Sequence, residues 1–112
     1  MISIDDFKKL EIKIGLILSV EKVSDTDKLL KLSVDLGEEN PRQIISGIAE
    51  YFSDPQILIG KKCAFATNLE SRTIRGLESK GMILAVSSGK GENGFFSLLE
   101  TKDDVIPGSA VK

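Results

Sequence analysis

Glu11-Ile12-Lys13-Ile14-Gly15-Leu16-Ile17-Leu18-Ser19-Val20 is the stretch that decides the fold class. Ile12, Ile14, Leu16, Leu18 and Val20 alternate with Glu11, Lys13, Gly15, Ile17 and Ser19, and a strand places alternate residues on one face. The run exceeds the usual strand of about five or six residues, so a long first strand is expected, with Gly15 marking a bend or bulge. A second alternation follows in Leu30, Leu32, Val34 and Leu36 against Lys31, Ser33 and Asp35, and it ends in the turn cluster Gly37-Glu38-Glu39-Asn40-Pro41.

Arg42 to Ile45 reads as a third, shorter strand, broken by Ser46-Gly47. Ile48 to Phe52 then reads as a helical turn, and Ser53 as the N-cap of a short helix over Asp54 to Leu58, with Pro55 in its first turn and Gly60 closing it. Cys63 to Thr67, Met82 to Val86 and Phe95 to Leu99 complete the strands, before a short extended piece at Val105-Ile106-Pro107-Gly108. At the other end, Ser3-x-x-Asp6 imitates a capping box and predicts a short helix over Asp5 to Lys9, with Leu10 leading into the first strand. Three strands, a short helical connection and further strands make the order of an OB-fold: an all-β, five-stranded Greek-key barrel, here one domain over 1–112 with a C-terminal extension. The face of strands 2 and 3 and the 1–2 and 4–5 loops of that barrel bind oligonucleotides, although the fold alone does not assign a function.

Composition excludes several chemistries. With no His and one Cys, neither the usual general base near neutral pH nor a zinc-site pattern is available. The carboxylate pairs Asp5-Asp6, Glu38-Glu39 and Asp103-Asp104 sit beside turn or helix-start residues and read as solvated termini and turns. Gly89-Lys90-Gly91-Glu92-Asn93-Gly94 lacks the spacing and the Ser/Thr of a phosphate loop and reads as a flexible hairpin connection. Cys63, within Cys63-Ala64-Phe65-Ala66, reads as a buried small hydrophobe. No catalytic residue, metal site or cofactor is expected. Apolar runs such as Met82 to Val86 fall far short of the roughly 20 residues of a membrane span, and the N-terminus lacks the features of a secretory leader, so no membrane association and a cytoplasmic location are expected.

Charge is unevenly spread. Residues 1–60 carry seven Lys/Arg against eleven Asp/Glu, a local −4, whereas residues 61–82 carry five against two, a local +3. The core of the basic segment runs from Asn68 to Met82 and holds Arg72, Arg75 and Lys80 among Asn68, Ser71 and Ser79, with Gly76 and Gly81. Arg and Lys neutralise phosphates, Asn and Ser contact phosphate, sugar or base edges, and glycine admits a close backbone approach, so the residues suit an RNA-contacting loop. An ordinary solvated loop with turn-forming Asn and Gly is the alternative. Ser24-Asp25-Thr26-Asp27-Lys28 lies in the loop between strands 1 and 2, where Lys28 and Lys31 extend the basic path or form a polar edge beside Asx-type turns. Ser46 faces the same path, or simply accompanies Gly47 where the backbone leaves strand 3.

Asp6-Phe7-x-Lys9-Leu10-Glu11-Ile12-Lys13-Ile14-Gly15, then Ser24 to Gly37 continuing through Ile45-Ser46-Gly47-Ile48, and finally Asn68 to Met82 preceded by Leu58-Ile59-Gly60-Lys61-Lys62, resemble the tRNA-binding domain found as the β subunit or C-terminal part of methionyl-tRNA synthetases and as free-standing bacterial tRNA-binding proteins. The resemblance runs from Ile4 to Lys112. It implies a non-catalytic OB-fold module that binds folded tRNA by shape, commonly as a homodimer, with the catalytic chain of a methionyl-tRNA synthetase as a partner. The RNA-contacting set is then Lys28, Ser46, Asn68, Arg72, Arg75, Ser79, Lys80 and Met82. Relatives commonly read Asn-Leu-x-Pro-Arg-Lys where this chain has Asn68-Leu69-Glu70-Ser71-Arg72-Thr73, which removes one positive charge and one rigid turn residue. Lys13 stands where many have Arg, which keeps the charge and loses the fork.

Five Phe, one Tyr and no Trp leave few aromatics for stacking unpaired bases, which favours a folded RNA over single-stranded DNA. The rival reading is a protein-binding chaperone similar to the secretion-related CsaA proteins, which share the fold. Asp27-Lys28-Leu29-Leu30 and Ser46-Gly47-Ile48 resemble the synthetase-linked branch more closely. The apolar piece Val105 to Val111 is expected to be buried by two-fold pairing that covers an open barrel edge.

Overall fold

The computed structural model describes residues 1–89 and 94–112. A short helix α1 (Ile4–Phe7) precedes β1 (Ile12–Lys22), β2 (Leu30–Asp35) and β3 (Arg42–Ser46). Two 3₁₀ turns, Ala49–Tyr51 and Pro55–Leu58, lead to β4 (Lys62–Ala66), and a hairpin of β5 (Arg72–Ile74) and β6 (Leu77–Ser79) is inserted before β7 (Met82–Ile83). A second hairpin, β8 (Ala85–Ser88) with β9 (Phe95–Leu98), follows. The main sheet is antiparallel with order β3-β2-β1-β4-β7. It curls nearly into a barrel, because Ile45 N donates to Ser79 Oγ (3.0 Å) and Lys80 N to Gln43 O (2.9 Å), joining the last strand's approach to the β3 edge. The expected all-β, five-stranded barrel is what the chain forms. The connection expected at Gly89 to Gly94 falls largely outside the described residues.

β2 follows its pattern residue by residue, with Leu30, Leu32 and Val34 fully buried. Together with Ile17, Ile44, Leu58 and Phe65, also fully buried, they form the barrel core, and each such side chain contributes about 1.5–3 kcal/mol on leaving water. β1 departs from expectation. Its pairing with β2 shifts between Ile17 and Ser19, so Leu18 is the extra residue and stands 42% exposed, while Ile17 enters the core. The bulge lies at Leu18 and not at Gly15. Gly15 has a packing role instead: a Cβ there would sit 2.5 Å from Val34 Cγ1 and 2.9 Å from Phe65 Cδ1, so only glycine lets β2 and β4 close over β1.

Other boundaries move for local reasons. Ser3 caps α1 by the expected box, accepting from Asp6 N, but Ser53 does not cap the second turn; Asp54 does, accepting from Gln56 N at 3.2 Å. The expected Met82 to Val86 strand splits at Leu84, where the chain leaves the barrel for the β8–β9 hairpin. Cys63 is fully buried, and burial pushes its thiol up to about 12, in keeping with a small hydrophobe.

The C-terminal extension is sealed within its own chain. Where β7 leaves β4, Ala64 N donates to Leu99 O (3.0 Å) and Thr101 N to Lys62 O (2.9 Å). Where β2 leaves β1, Ile14 N donates to Ser109 O (2.9 Å) and Val111 N to Ile12 O (2.8 Å). The backbone edge that a second copy was expected to cover is therefore covered already, although Ile106 remains 73% exposed.

Candidate nucleic-acid interface

The basic segment of the sequence is a protruding hairpin. Arg72 pairs with Ser79, Thr73 with Glu78 and Ile74 with Leu77, and the two residues between the strands, Arg75 and Gly76, have φ of +52° and +78°. Positive φ at both positions is the two-residue turn whose twist suits a hairpin, and glycine is at home in the second. Arg75 thus stands at the very tip.

The tip approaches the loop after β1. Glu21, Lys22, Ser24, Asp25, Lys31 and Arg75 line an open groove of about 360 Å³. Lys31 Nζ is 3.0 Å from Glu21 Oε2, with the lysine half-buried and the glutamate exposed, a pair that a competing anion can displace at small cost. Arg72 and Arg75 are exposed and make no ion pair among the described residues, while Lys80 Nζ lies 3.6 Å from Glu78 Oε1. The +3 of residues 61–82 is less concentrated than it reads in sequence. Lys61 pairs with Glu100 at 3.1 Å, and Lys62 donates to Val105 O (2.7 Å) and Asp103 O, so both hold the C-terminal extension.

The base of the hairpin is a lattice of hydrogen bonds. Asn68 Oδ1 accepts from Glu11 N (2.7 Å) and Asn68 Nδ2 donates to Lys9 O (2.6 Å), so both ends of this amide tie the N-terminal segment to the hairpin's first leg. Ser79 is 1% exposed, and its hydroxyl accepts from Ile45 N and donates to Gly81 O (3.1 Å). Asn68 and Ser79, expected among the RNA contacts, spend their polar atoms on the fold. Met82 opens β7, 41% exposed and paired with Ala66. Lys28 is exposed but lies off the groove, its carbonyl accepting from Ala49 N (3.1 Å), and Ser46 ends β3 opposite Leu30. The hairpin gathers Arg72, Arg75 and Lys80, and its Arg75 tip reaches Lys22 and Lys31 at the end of the β2–β3 pair where Ser46 stands opposite Leu30, although neither Ser46 nor Lys28 lines the groove itself.

Two residues escaped the sequence reading. Lys22, the last residue of β1, lines the groove with Arg75 and carries no signal beyond being one lysine at a strand end. Arg42 donates through NH1 to Thr67 O (2.6 Å) and Lys80 O (3.2 Å), and through Nε and NH2 to Glu38 Oε1 and Oε2 (2.8 and 2.7 Å). The hydrogen bond with Arg42 holds the Glu38 carboxyl below its ordinary range, and Glu38 in turn raises the Arg42 guanidinium. A Glu and an Arg four apart across the Asn40-Pro41 turn were the available signal.

Comparison with known proteins places this geometry in a family. The model described as "Putative tRNA binding domain" matches residues 12–110. The methionine–tRNA ligase of Myxococcus xanthus (strain DK1622) is 49% identical over 111 residues, 99% of this chain and 15% of that protein, so the chain spans a small part of the curated relatives it matches. Among solved structures, a MetRS related protein from Pyrococcus horikoshii superposes with a TM-score of 0.89 at 36% identity, covering 100% of this chain and 98% of that one. A CsaA chaperone protein from Picrophilus torridus superposes with a TM-score of 0.83 at 28% identity, covering 100% of both. Matched by the family model over residues 12–110 and by a solved relative along nearly its whole length, the chain belongs to the tRNA-binding domain family.

Proposed function

We propose that this chain is a non-catalytic module, an OB-fold in class, that binds folded tRNA by shape and phosphate contacts and assists a methionyl-tRNA synthetase in the cytoplasm. The observation that carries the reading is the pair Arg72 and Arg75, exposed and without an ion pair among the described residues, on a hairpin whose base is locked to a barrel of this family. Lys22, Lys31 and Lys80 extend the same surface, with Lys28, Ser46 and Met82 as outlying contacts. A folded RNA offers regularly spaced phosphates to such a protrusion, and the exposed aromatics Tyr51 and Phe95, which could stack unpaired bases, line a groove of their own with Glu50, Ser87 and Phe96. Holding a tRNA beside a synthetase raises its effective concentration without any chemistry in this chain.

The salt dependence of binding tests the reading. Folded tRNA, unstructured RNA and an unfolded polypeptide are titrated at several salt concentrations; the tRNA is expected to bind most tightly, with log affinity falling linearly in log salt. Tighter binding of the polypeptide would favour the chaperone reading. One observation speaks for that alternative: Tyr51 stacks on Phe96 with ring centroids 4.0 Å apart, and both line an open groove of about 270 Å³ with Phe52 and Ile57.

A homodimer belongs to the proposed function. Its support is the family together with exposed apolar side chains, Ile57 at 56% and Phe95 at 59%, rather than the sealed C-terminal edge. A monomeric mass by sedimentation at micromolar concentration would contradict it.

A further inference from the structure

The β5–β6 hairpin has three residue pairs and few buried side chains, and a two-stranded ribbon of that size is marginal on its own. Its direction must come from its base. The insertion leaves the barrel after Ala66 and returns at Met82, and a single guanidinium bonds both legs there: Arg42 NH1 donates to Thr67 O on the outgoing leg and to Lys80 O on the returning one. The other edge of the same guanidinium is held by both oxygens of Glu38. Gln43 adds a tie, its Nε2 donating to Glu78 O at 3.0 Å.

We propose that Arg42, held by Glu38, is a positioning residue for RNA binding: it aims the Arg75 tip at the groove beside Lys22 and Lys31 and does not itself touch RNA. Its charge is matched by Glu38, and four of its donor contacts are spent on Glu38 and two carbonyls, so it offers little to a phosphate. The planar fork is what allows one side chain to face a carboxylate and two carbonyls together; an ammonium cannot reproduce it. When the pair is broken, the tip is correctly placed for only part of the time, and apparent affinity falls by that fraction.

This inference rests on the proposed tRNA binding, and the variant Glu38→Gln tests it by sign. Removing a negative charge and freeing an arginine should strengthen RNA binding by electrostatics alone; loss of positioning should weaken it. Glu38→Gln and Arg42→Lys are titrated with tRNA at several salt concentrations, and amide exchange is followed in the free proteins. We expect about a three- to tenfold weaker Kd in each. The salt slope should be unchanged, because no phosphate contact is lost. Exchange should quicken in residues 72–79 and stay as in the parent in β1 and β2. Tighter binding by Glu38→Gln, a salt slope lowered in Arg42→Lys, or protection from exchange lost throughout the barrel would each overturn the proposal. If the parent protein binds no tRNA the function reading fails, while the exchange data still decide whether the pair aims the hairpin.

Discussion

The hydrogen-bonded base of the β5–β6 hairpin and the two exposed arginines of the same hairpin use the same kinds of polar group and do opposite things. At the base, Asn68, Ser79 and Arg42 have their polar atoms bonded to backbone, carboxylate or both. Outside that lattice, Arg72 at the start of β5 and Arg75 at the tip have no ion pair among the described residues, and Arg75 accepts a left-handed backbone to stand there. Hydrogen bonds spent on the fold leave fewer donors for a ligand, most completely at the buried Ser79. The hairpin is thus a fixed mount carrying free charge, the arrangement that lets a small protein of net charge −2 present an attractive point to a polyanion.

The comparison breaks most visibly at Ser79. Ser79→Ala leaves the buried Ile45 N–H without a partner, and the expected loss of stability is about 1–3 kcal/mol, read by denaturant unfolding. Asn68→Ala removes two bonds from an exposed residue whose freed groups can find water, so a smaller loss, about 1 kcal/mol, is expected in the same assay. In neither variant should the salt slope of RNA binding change. Both side chains are uncharged, so affinity at fixed salt is the discriminating readout: a weaker tRNA affinity in Asn68→Ala with the barrel still folded would move that residue from the base to the contact surface.

The same contrast explains what could be read from the sequence. Burial alternates along β2, so its period-two pattern named the core face directly. β1 was legible as a long strand and misread in phase, because a pattern of apolar residues does not reveal one inserted residue; only the partner strand shows that Leu18 is extra and that Gly15 is a packing position. In the hairpin, residue types identified the segment, and the family resemblance pointed to the same stretch. The division of labour within it was hidden, since Asn68 is bonded to residues 57 and 59 positions away and Ser79 to one 34 away. The role of Arg42 is hidden in the sequence for the same reason: its bonds to Thr67 O and Lys80 O span 25 and 38 positions. Lys61 and Lys62 belong to the basic segment in sequence, but the fold turns them to the C-terminal extension.

The two exposed arginines should contribute least to stability and most to binding. Arg72→Ala and Arg75→Ala are each expected to change stability by no more than about 0.5 kcal/mol, since each removes an exposed side chain and alanine at position 75 meets the same backbone strain as arginine. The most direct measurement is the salt dependence of tRNA affinity for the parent protein, the two single variants and the double variant, taken beside their melting curves. If Arg72 and Arg75 each neutralise about one phosphate, each substitution lowers the slope of log affinity against log salt by roughly 0.7–0.9, the double variant by about twice that, and the melting temperatures barely move. A parent-like slope in the double variant, or a slope that falls only together with the melting temperature, would contradict the assignment of Arg72 and Arg75 to RNA.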